Sequence, residues 1–329
     1  MFVPCGAQRY TLPGPGMAHS LHIREPQPLK RIGLDDWMSR VAELAGKVQD
    51  GWDVDDIHDL RTAMRRCRSM AESLSEVNPD PGWRKLKKTT RKLFRALGEL
   101  RDSHVKLEWI KKLAPASDPL RKLLIQSISE RMAAQVETCQ NAMAKFDPKE
   151  FRRLSKKLSD RAQFFPLESV VYQRLALTRL NEAALQYQVA RKGRSRIAWH
   201  RLRIALKHFR YTLENFAPQQ GEPWMENLKH MQDLLGDVHD LDLLRRELWR
   251  HKTKTDLVHL ERWLELMQKR RARRLAGFAS LAAGDPPVWQ VWRSGFRSVP
   301  TLQFVTAPAV AAPAAHSAKI GRASCRERV

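Results

Sequence analysis

The sequence predicts an all-α protein, and three observations support this. Apart from the two ends of the chain, prolines occur singly or in pairs, and they divide the sequence into long segments. Proline is excluded from helix interiors, so each segment between prolines is a candidate helix. Several segments carry apolar residues at steps of three and four, the spacing of a buried helix face. No segment shows the sustained alternation with β-branched residues that is typical of strands.

The breaks define the elements in order. They fall at Pro79/Pro81, Pro115/Pro119, Pro148, Pro166 and Pro218/Pro223. They predict helices near residues 34–50, 55–77, 82–113, 118–145, 149–163, 167–192, 196–216, 223–250 and 255–281. We expect a first helical bundle over 31–165 and a second over 166–290, which together form one domain.

The two ends differ from this body. Residues 1–30 are predicted to be a flexible tail, within which Met17 is an alternative start to Met1. Residues 291–329 form a second tail, of which the Ala/Pro-rich part at 300–318 is typical of a linker. The last ten residues, IGRASCRERV (320–329), resemble a translated sequencing-library adapter. We therefore expect 320–329 to be an assembly artefact and the natural C-terminus to be missing.

Composition limits the classes of protein and partner. The chain has 329 residues, and its 59 Lys and Arg against 36 Asp and Glu give a net charge of +23. The hydrophobic fraction of 43% excludes wholesale disorder, and no apolar run is long enough to span a membrane. The four cysteines lack metal-ligand spacing, and no signal peptide precedes the body, so we expect a cytoplasmic protein without a metal or other cofactor. Such an excess of basic residues suggests a polyanionic partner: nucleic acid, an anionic membrane surface or another phosphate polymer.

Part of this positive charge lies at matching positions of an internal repeat. Residues 57–68 (IHDLRTAMRRCR) align without a gap with 199–210 (WHRLRIALKHFR) at an offset of 142. In each copy, apolar residues at steps of three and four form a seam of the kind that packs in helical bundles. One residue later, the same rhythm gives a basic stripe beside each seam. The stripes consist of His58, Arg61, Arg65 and Arg68 in the first copy and His200, Arg203, Lys207 and Arg210 in the second.

Like charges at these spacings repel within a helix, whereas an ordinary solvated face mixes the signs. The alternative is that the stems cover apolar surface while the charged heads reach water or pair with acids. Two matched stripes, each beginning with His, favour an anion-binding cleft.

A second repeat follows each stripe. Residues 97–106 (LGELRDSHVK) align with 235–244 (LGDVHDLDLL) at an offset of 138, which pairs Gly98 with Gly236 and Asp102 with Asp240. Upstream, Arg91 falls opposite Lys229. The first copy is basic in this region and the second is more acidic. We expect Asp102 and Asp240 to have structural roles, orienting arginines or capping turns.

These motifs resemble the CHAD family, named for conserved histidines in an α-helical domain. The resemblance covers about residues 31–290, and its strongest marks are HDLRTAMRRCR, HRLRIALKHFRY and LKHMQDLLGDVHDLDLL. It implies two bundles related by a pseudo-two-fold axis with a basic central cleft. It also implies binding of inorganic polyphosphate and, in some members, recruitment to polyphosphate granules. The implied binding residues are the two stripes, with Arg66, Lys88, Arg91 and Lys229 as additional candidates.

The chemistry of the stripes suits such a polymer. Arg donates paired hydrogen bonds to phosphate oxygens, and Lys adds a point charge. No aromatic residues interleave the stripes as they would for base stacking, although the basic run at 269–274 could contact nucleic acid weakly at low salt.

An enzyme is the remaining alternative. His58-Asp59 and His239-Asp240 are HD dipeptides, as found in metal-dependent phosphohydrolases of helical fold. Asp59 becomes Arg201 in the repeat, and neither a Gly-rich phosphate loop nor a nucleophile elbow is present. The sequence therefore favours a binding protein without catalytic residues.

Overall fold

The protein is described by a computed structural model over residues 33–193, 195–253 and 256–296. All regular secondary structure in these ranges is helical, which confirms the predicted class. The α-helices are α1 Leu34–Gly51, α2 Val54–Val77, α3 Pro81–Leu113, α4 Pro119–Ala144, α5 Pro148–Ala162, α6 Val170–Gly193, α7 Arg196–Phe216, α8 Pro218–Gly221, α9 Met225–Arg250, α10 Leu257–Ala282 and α11 Val288–Ser294. A 3-10 turn, Glu222–Trp224, joins α8 to α9. The predicted tail at 1–30, the linker at 300–318 and the adapter-like 320–329 lie outside the described residues.

Three helices begin at an Asp-Pro pair, which explains why proline marked their starts. Asp80, Asp118 and Asp147 are the N-caps of α3, α4 and α5, and each accepts hydrogen bonds from backbone amides of the first turn. Proline then occupies the first helical position, where its missing N–H leaves no bond unmade. Asp53 caps α2 in the same way without a proline.

The long helices lie close to their predicted positions, whereas α8 and α11 were not predicted. Pro218 and Pro223 were interpreted only as breaks, but each stands at the start of a short helical turn. The start of α6 lies three residues later than predicted. Glu168, just before it, has a positive φ of 56°, and its backbone N–H donates to the carbonyl of Phe216 rather than to a helical partner.

Both predicted seams are buried. Every apolar member of the α2 seam (Ile57, Leu60, Met64, Cys67, Ala71, Leu74) and of the α7 seam (Trp199, Leu202, Leu206, Phe209, Leu213, Phe216) belongs to the core. The α2 seam packs into a core built mainly from α1 to α5. The α7 seam packs into a core built mainly from α6, α7, α9, α10 and α11, except for Phe216, which belongs to the first core. Because the seam beside it is buried, each stripe must face a defined direction at the edge of its core.

A third core joins the two groups of helices. It contains Trp109, Ile110, Leu124 and Ile128 from α3 and α4, and Leu241, Leu244, Leu248 and Trp263 from α9 and α10. Beside it, the buried carboxylate of Glu247 on α9 accepts hydrogen bonds from Lys106 on α3 and Arg131 on α4. Through these contacts α3 packs on α9, and α2 packs directly on α7. The two stripe-bearing helices are thereby neighbours.

Candidate functional site

The middle residues of the two stripes come together where α2 packs on α7. Arg61 and Arg65 from α2 and Arg203 and Lys207 from α7 are close enough to perturb one another electrostatically, and we call these four residues the central cluster. All four are partly buried. Among the described residues none of them forms an ion pair, and the Nε atoms of Arg61 and Arg203 are buried without a hydrogen-bond partner. The cluster is thus a concentration of positive charge whose members have no ion pair among the described residues, although Asp102 and Asp240 attract Arg61 and Arg203 from nearby.

The pKa values reflect this concentration. Burial, reinforced by repulsion from Arg65, lowers the pKa of Arg61 to about 10. Burial likewise lowers the pKa of Arg203, and it lowers that of Lys207 well below its usual range, with Arg203 as the strongest repelling neighbour. Both causes act against the charged form. An anion at this place would offset both the cost of burying the charges and the repulsion between them.

Arg61 is held against α3. Its guanidinium lies over the ring of Phe94, 4.9 Å from the centroid, and it also covers Gly98. A Cβ atom at Gly98 would lie 3.1 Å from an Nη atom of Arg61, so glycine makes room for this approach. The counterpart Gly236 on α9 differs, because outside its own helix backbone and chain neighbours no atom of a described residue lies within 4 Å of where its Cβ would be. Space is therefore open beside Gly236.

The two repeated aspartates lie beside the cluster. Burial raises the pKa of Asp240 to about 6 and also raises that of Asp102, although nearby arginines oppose the rise in both cases. Neither carboxylate forms an ion pair or a hydrogen bond with another described side chain. The structural role predicted for them stays a prediction, since the contacts of the described residues do not include a bond from either aspartate to an arginine.

The histidines of the two stripes have different surroundings. His200 stacks on His239 of α9 with ring centroids 4.8 Å apart, and their Nδ1 atoms are 3.2 Å apart, so one ring donates to the other. Burial and the neighbouring Arg203 lower the pKa of both rings, that of His239 to about 2. His58 is more exposed and lies near Arg101 and Arg65, which add to burial in lowering its pKa.

The last residue of each stripe already has hydrogen-bond partners within the protein. Arg68 donates to the backbone carbonyl of Lys87 at 2.6 Å and to the Thr90 hydroxyl at 3.2 Å. Arg210 pairs with Glu214 and donates to Gln232. Arg66, an additional candidate, pairs with the same Glu214 and lies between the rings of Trp37 and Tyr211.

The other additional candidates are on the outer surface. Lys88 and Arg91 are exposed on α3, and Lys229 is exposed on α9. Among the described residues none of the three forms an ion pair.

Two residues beside the cluster were not proposed from the sequence as binding residues. Tyr211 is buried, which acts to raise its pKa, but Arg65 and Arg66 outweigh burial and lower it. Its only signal in the sequence is its place directly after the second stripe. His239 was noted only as part of an HD dipeptide, and its stacking on His200 depends on a contact between α7 and α9 that spacing does not reveal.

The described residues also bear on a metal site and on a membrane span. Among the described residues no group of three or more His, Cys, Asp and Glu side chains has the arrangement of a metal site. In the same part of the chain, every helix is too short or too polar to cross a membrane.

The structure thus consists of two groups of helices, joined by the third core, that bring a partly buried cluster of cations together. Comparison with known proteins identifies the family to which such a protein belongs. The family model of the CHAD domain matches residues 34–249, more than half of the chain. The chain therefore belongs to the CHAD family. The crystal structure of the CHAD domain from the plant Ricinus communis has a similar fold, with a TM-score of 0.54. That match covers 81% of this chain and 90% of the plant chain at 22% sequence identity. No curated protein sequence matches the chain.

Proposed function

We propose that the chain binds inorganic polyphosphate, the polymer with which the CHAD family is associated, and does so without catalysis. The observation that carries the proposal is the central cluster. Four basic side chains from two separate helices are partly buried together, and none of them forms an ion pair among the described residues. Such an arrangement lowers the stability of the free protein and is compensated when an anion binds.

The contacts of the helices support the symmetric architecture implied by the resemblance. In the first half, α1 packs on α2, α2 on α3 and α3 on α4; in the second half, α6 packs on α7, α7 on α9 and α9 on α10. The order is the same, with the short α8 inserted. We propose that the halves are related by a pseudo-two-fold axis and that the central cluster lines a basic cleft between them.

Within this cleft the residues have different tasks. Arg61, Arg65, Arg203 and Lys207 contact the phosphates directly, and His200 and His58 contribute further donors. Arg68 and Arg210, whose guanidinium groups already have protein partners, hold the stripe helices against their neighbours. Phosphate oxygens accept the paired hydrogen bonds of arginine, and their charge is screened by salt, so binding weakens as ionic strength rises.

The test is a competition between long-chain polyphosphate and duplex DNA at physiological salt, with phosphate release followed with and without a divalent metal. We expect polyphosphate to bind more tightly and phosphate not to be released. Preference for DNA would support a nucleic-acid-binding protein instead. Metal-dependent release that is lost in Asp240→Asn would support the phosphohydrolase alternative.

Substitutions then test the site. Each charge-assisted hydrogen bond contributes about 1.5–3 kcal/mol, so Arg61→Ala combined with Arg203→Ala should weaken polyphosphate binding about 100-fold or more. The control is Arg152→Ala combined with Lys156→Ala, which removes the same charge from the exposed face of α5. Equal losses in the two double variants would show that only net charge matters. If binding defines the cellular role, a fluorescent fusion should collect at polyphosphate granules and the Arg61/Arg203 double variant should not.

A further inference from the structure

A row of cations on α3 leads away from the central cluster. Its members occur at steps of four, three and four residues, so they lie on one face of the helix. All are exposed, and among the described residues none forms an ion pair: Arg84, Lys88, Arg91 and Arg95. The row spans about 17 Å at a rise of 1.5 Å per residue. We call it the α3 row.

The α3 row runs directly into the cluster. The next position on the same face after Arg95 is Gly98, which is covered by the guanidinium of Arg61. The position after that is Asp102, whose charge interacts with both Arg61 and Arg203. A polyanion held at the cluster therefore finds a continuous line of cations along α3.

The second half carries carboxylates at three of the four aligned positions. The offset of 138 pairs Arg84, Lys88, Arg91 and Arg95 with Glu222, Glu226, Lys229 and Asp233, which precede Gly236 and Asp240 as the α3 row precedes Gly98 and Asp102. All four are exposed, and among the described residues the three acids lack ion pairs. We call these four positions the α9 row; Glu222 lies in the 3-10 turn that leads into α9, and the other three lie on α9 itself. Three of its members repel a phosphate chain, and Lys229 stands alone between two of them.

We propose that bound polyphosphate leaves the cluster along the α3 row and not along the α9 row, so that the site is one-sided and favours chains long enough to cover α3. This inference rests on the proposed function. Its physical basis is charge: each additional phosphate on the α3 side meets a cation, whereas each on the α9 side meets a carboxylate or an isolated lysine. Lys229 then lies outside the path, although its repeat partner Arg91 lies on it.

Arg91 and Lys229 provide a matched pair for the test. Arg91→Glu and Lys229→Glu change the net charge equally, at aligned and exposed positions of the two halves. Dissociation constants for long-chain polyphosphate and for tripolyphosphate are measured on both full-length variants. We expect Arg91→Glu to weaken long-chain binding about tenfold and to leave tripolyphosphate binding within about twofold, because only the long chain reaches α3. Lys229→Glu should leave both within about twofold.

A gain-of-binding variant provides a second measurement. Glu226→Lys with Asp233→Arg gives the α9 row the residues that α3 has at the aligned positions. We expect the affinity for long-chain polyphosphate to rise about threefold or more. In this background, adding Lys229→Glu should weaken long-chain binding. Unchanged long-chain affinity would overturn the inference.

The outcomes separate this inference from the proposed function. Equal losses in Arg91→Glu and Lys229→Glu, or none in either, would overturn the one-sided path, while the Arg61/Arg203 double variant would still report on the cluster. Failure of the unmodified chain to bind either polymer length would overturn the proposed function itself.

Discussion

Replacing Arg61 by Met should stabilise the protein and weaken its binding of polyphosphate. Burial and repulsion lower the pKa of Arg61 from its usual value to about 10, which corresponds to about 3 kcal/mol at 1.36 kcal/mol per pKa unit. Removing the charge recovers this free energy but loses the contact with Phe94, worth about 1 kcal/mol. We therefore expect a gain of about 2 kcal/mol in the free energy of unfolding.

Arg68→Met is the matched control, because Arg68 lies on the same stripe and also contacts Phe94. It donates to the Lys87 carbonyl, so its loss should destabilise the protein by about 2 kcal/mol. Urea titrations with and without polyphosphate measure both effects, with an unchanged slope showing that only stability has altered. Polyphosphate should stabilise Arg68→Met more than Arg61→Met. If Arg61→Met were instead destabilised like Arg68→Met and still stabilised fully by the polymer, Arg61 would be a structural cation and our reasoning would be refuted.

Three further predictions concern the surroundings of the cluster. Gly236→Ala should raise the free energy of unfolding by about 0.5–1 kcal/mol in urea titrations, because alanine favours helix and no neighbour obstructs its methyl group. Gly98→Ala should raise the free energy of unfolding less, and it should weaken polyphosphate binding because its methyl group displaces Arg61. Glu247→Gln should lower the free energy of unfolding by about 2–4 kcal/mol by leaving basic side chains unpaired beside the third core, and a loss below 1 kcal/mol would contradict this. Burial and repulsion lower the pKa of Lys207, and bound phosphate raises it again. Binding should therefore take up protons, which calorimetry in buffers of different ionisation enthalpy detects, and it should weaken as pH rises. Without ligand the sign reverses: the unfolded chain holds this proton more tightly, so Lys207 adds stability as pH rises toward 10.5.

Much of the fold could be predicted from the sequence because its signals are local. Asp-Pro pairs mark three helix starts, and steps of three and four residues identify both seams, all of whose members are buried. The short helices α8 and α11 were missed because four and seven residues are too few to show a helical period.

The candidate site was only partly predictable, for a different physical reason. The spacing identified the eight stripe residues as equivalent, yet their contacts divide them. The middle four meet across the two halves, whereas Arg68 and Arg210 find partners close by. Glu214, which pairs with both Arg210 and Arg66, could have been noticed for Arg210 because it lies four residues away on the same helix. Its pairing with Arg66 joins α2 to α7 and depends on tertiary structure.

The third core explains how a repulsive cluster can exist in the free protein. Fully buried residues on both sides, among them Ile110, Leu124, Leu244 and Leu248, join α3 and α4 to α9 and α10. Each contributes about 1.5–3 kcal/mol, so even these four contribute on the order of 6–12 kcal/mol as an upper bound. That exceeds the roughly 3 kcal/mol by which burial and repulsion oppose the charge of Arg61. Apolar packing at one end of the α3–α9 contact thus compensates for charge repulsion near Gly98 and Gly236, and it keeps the four cations together before any anion binds.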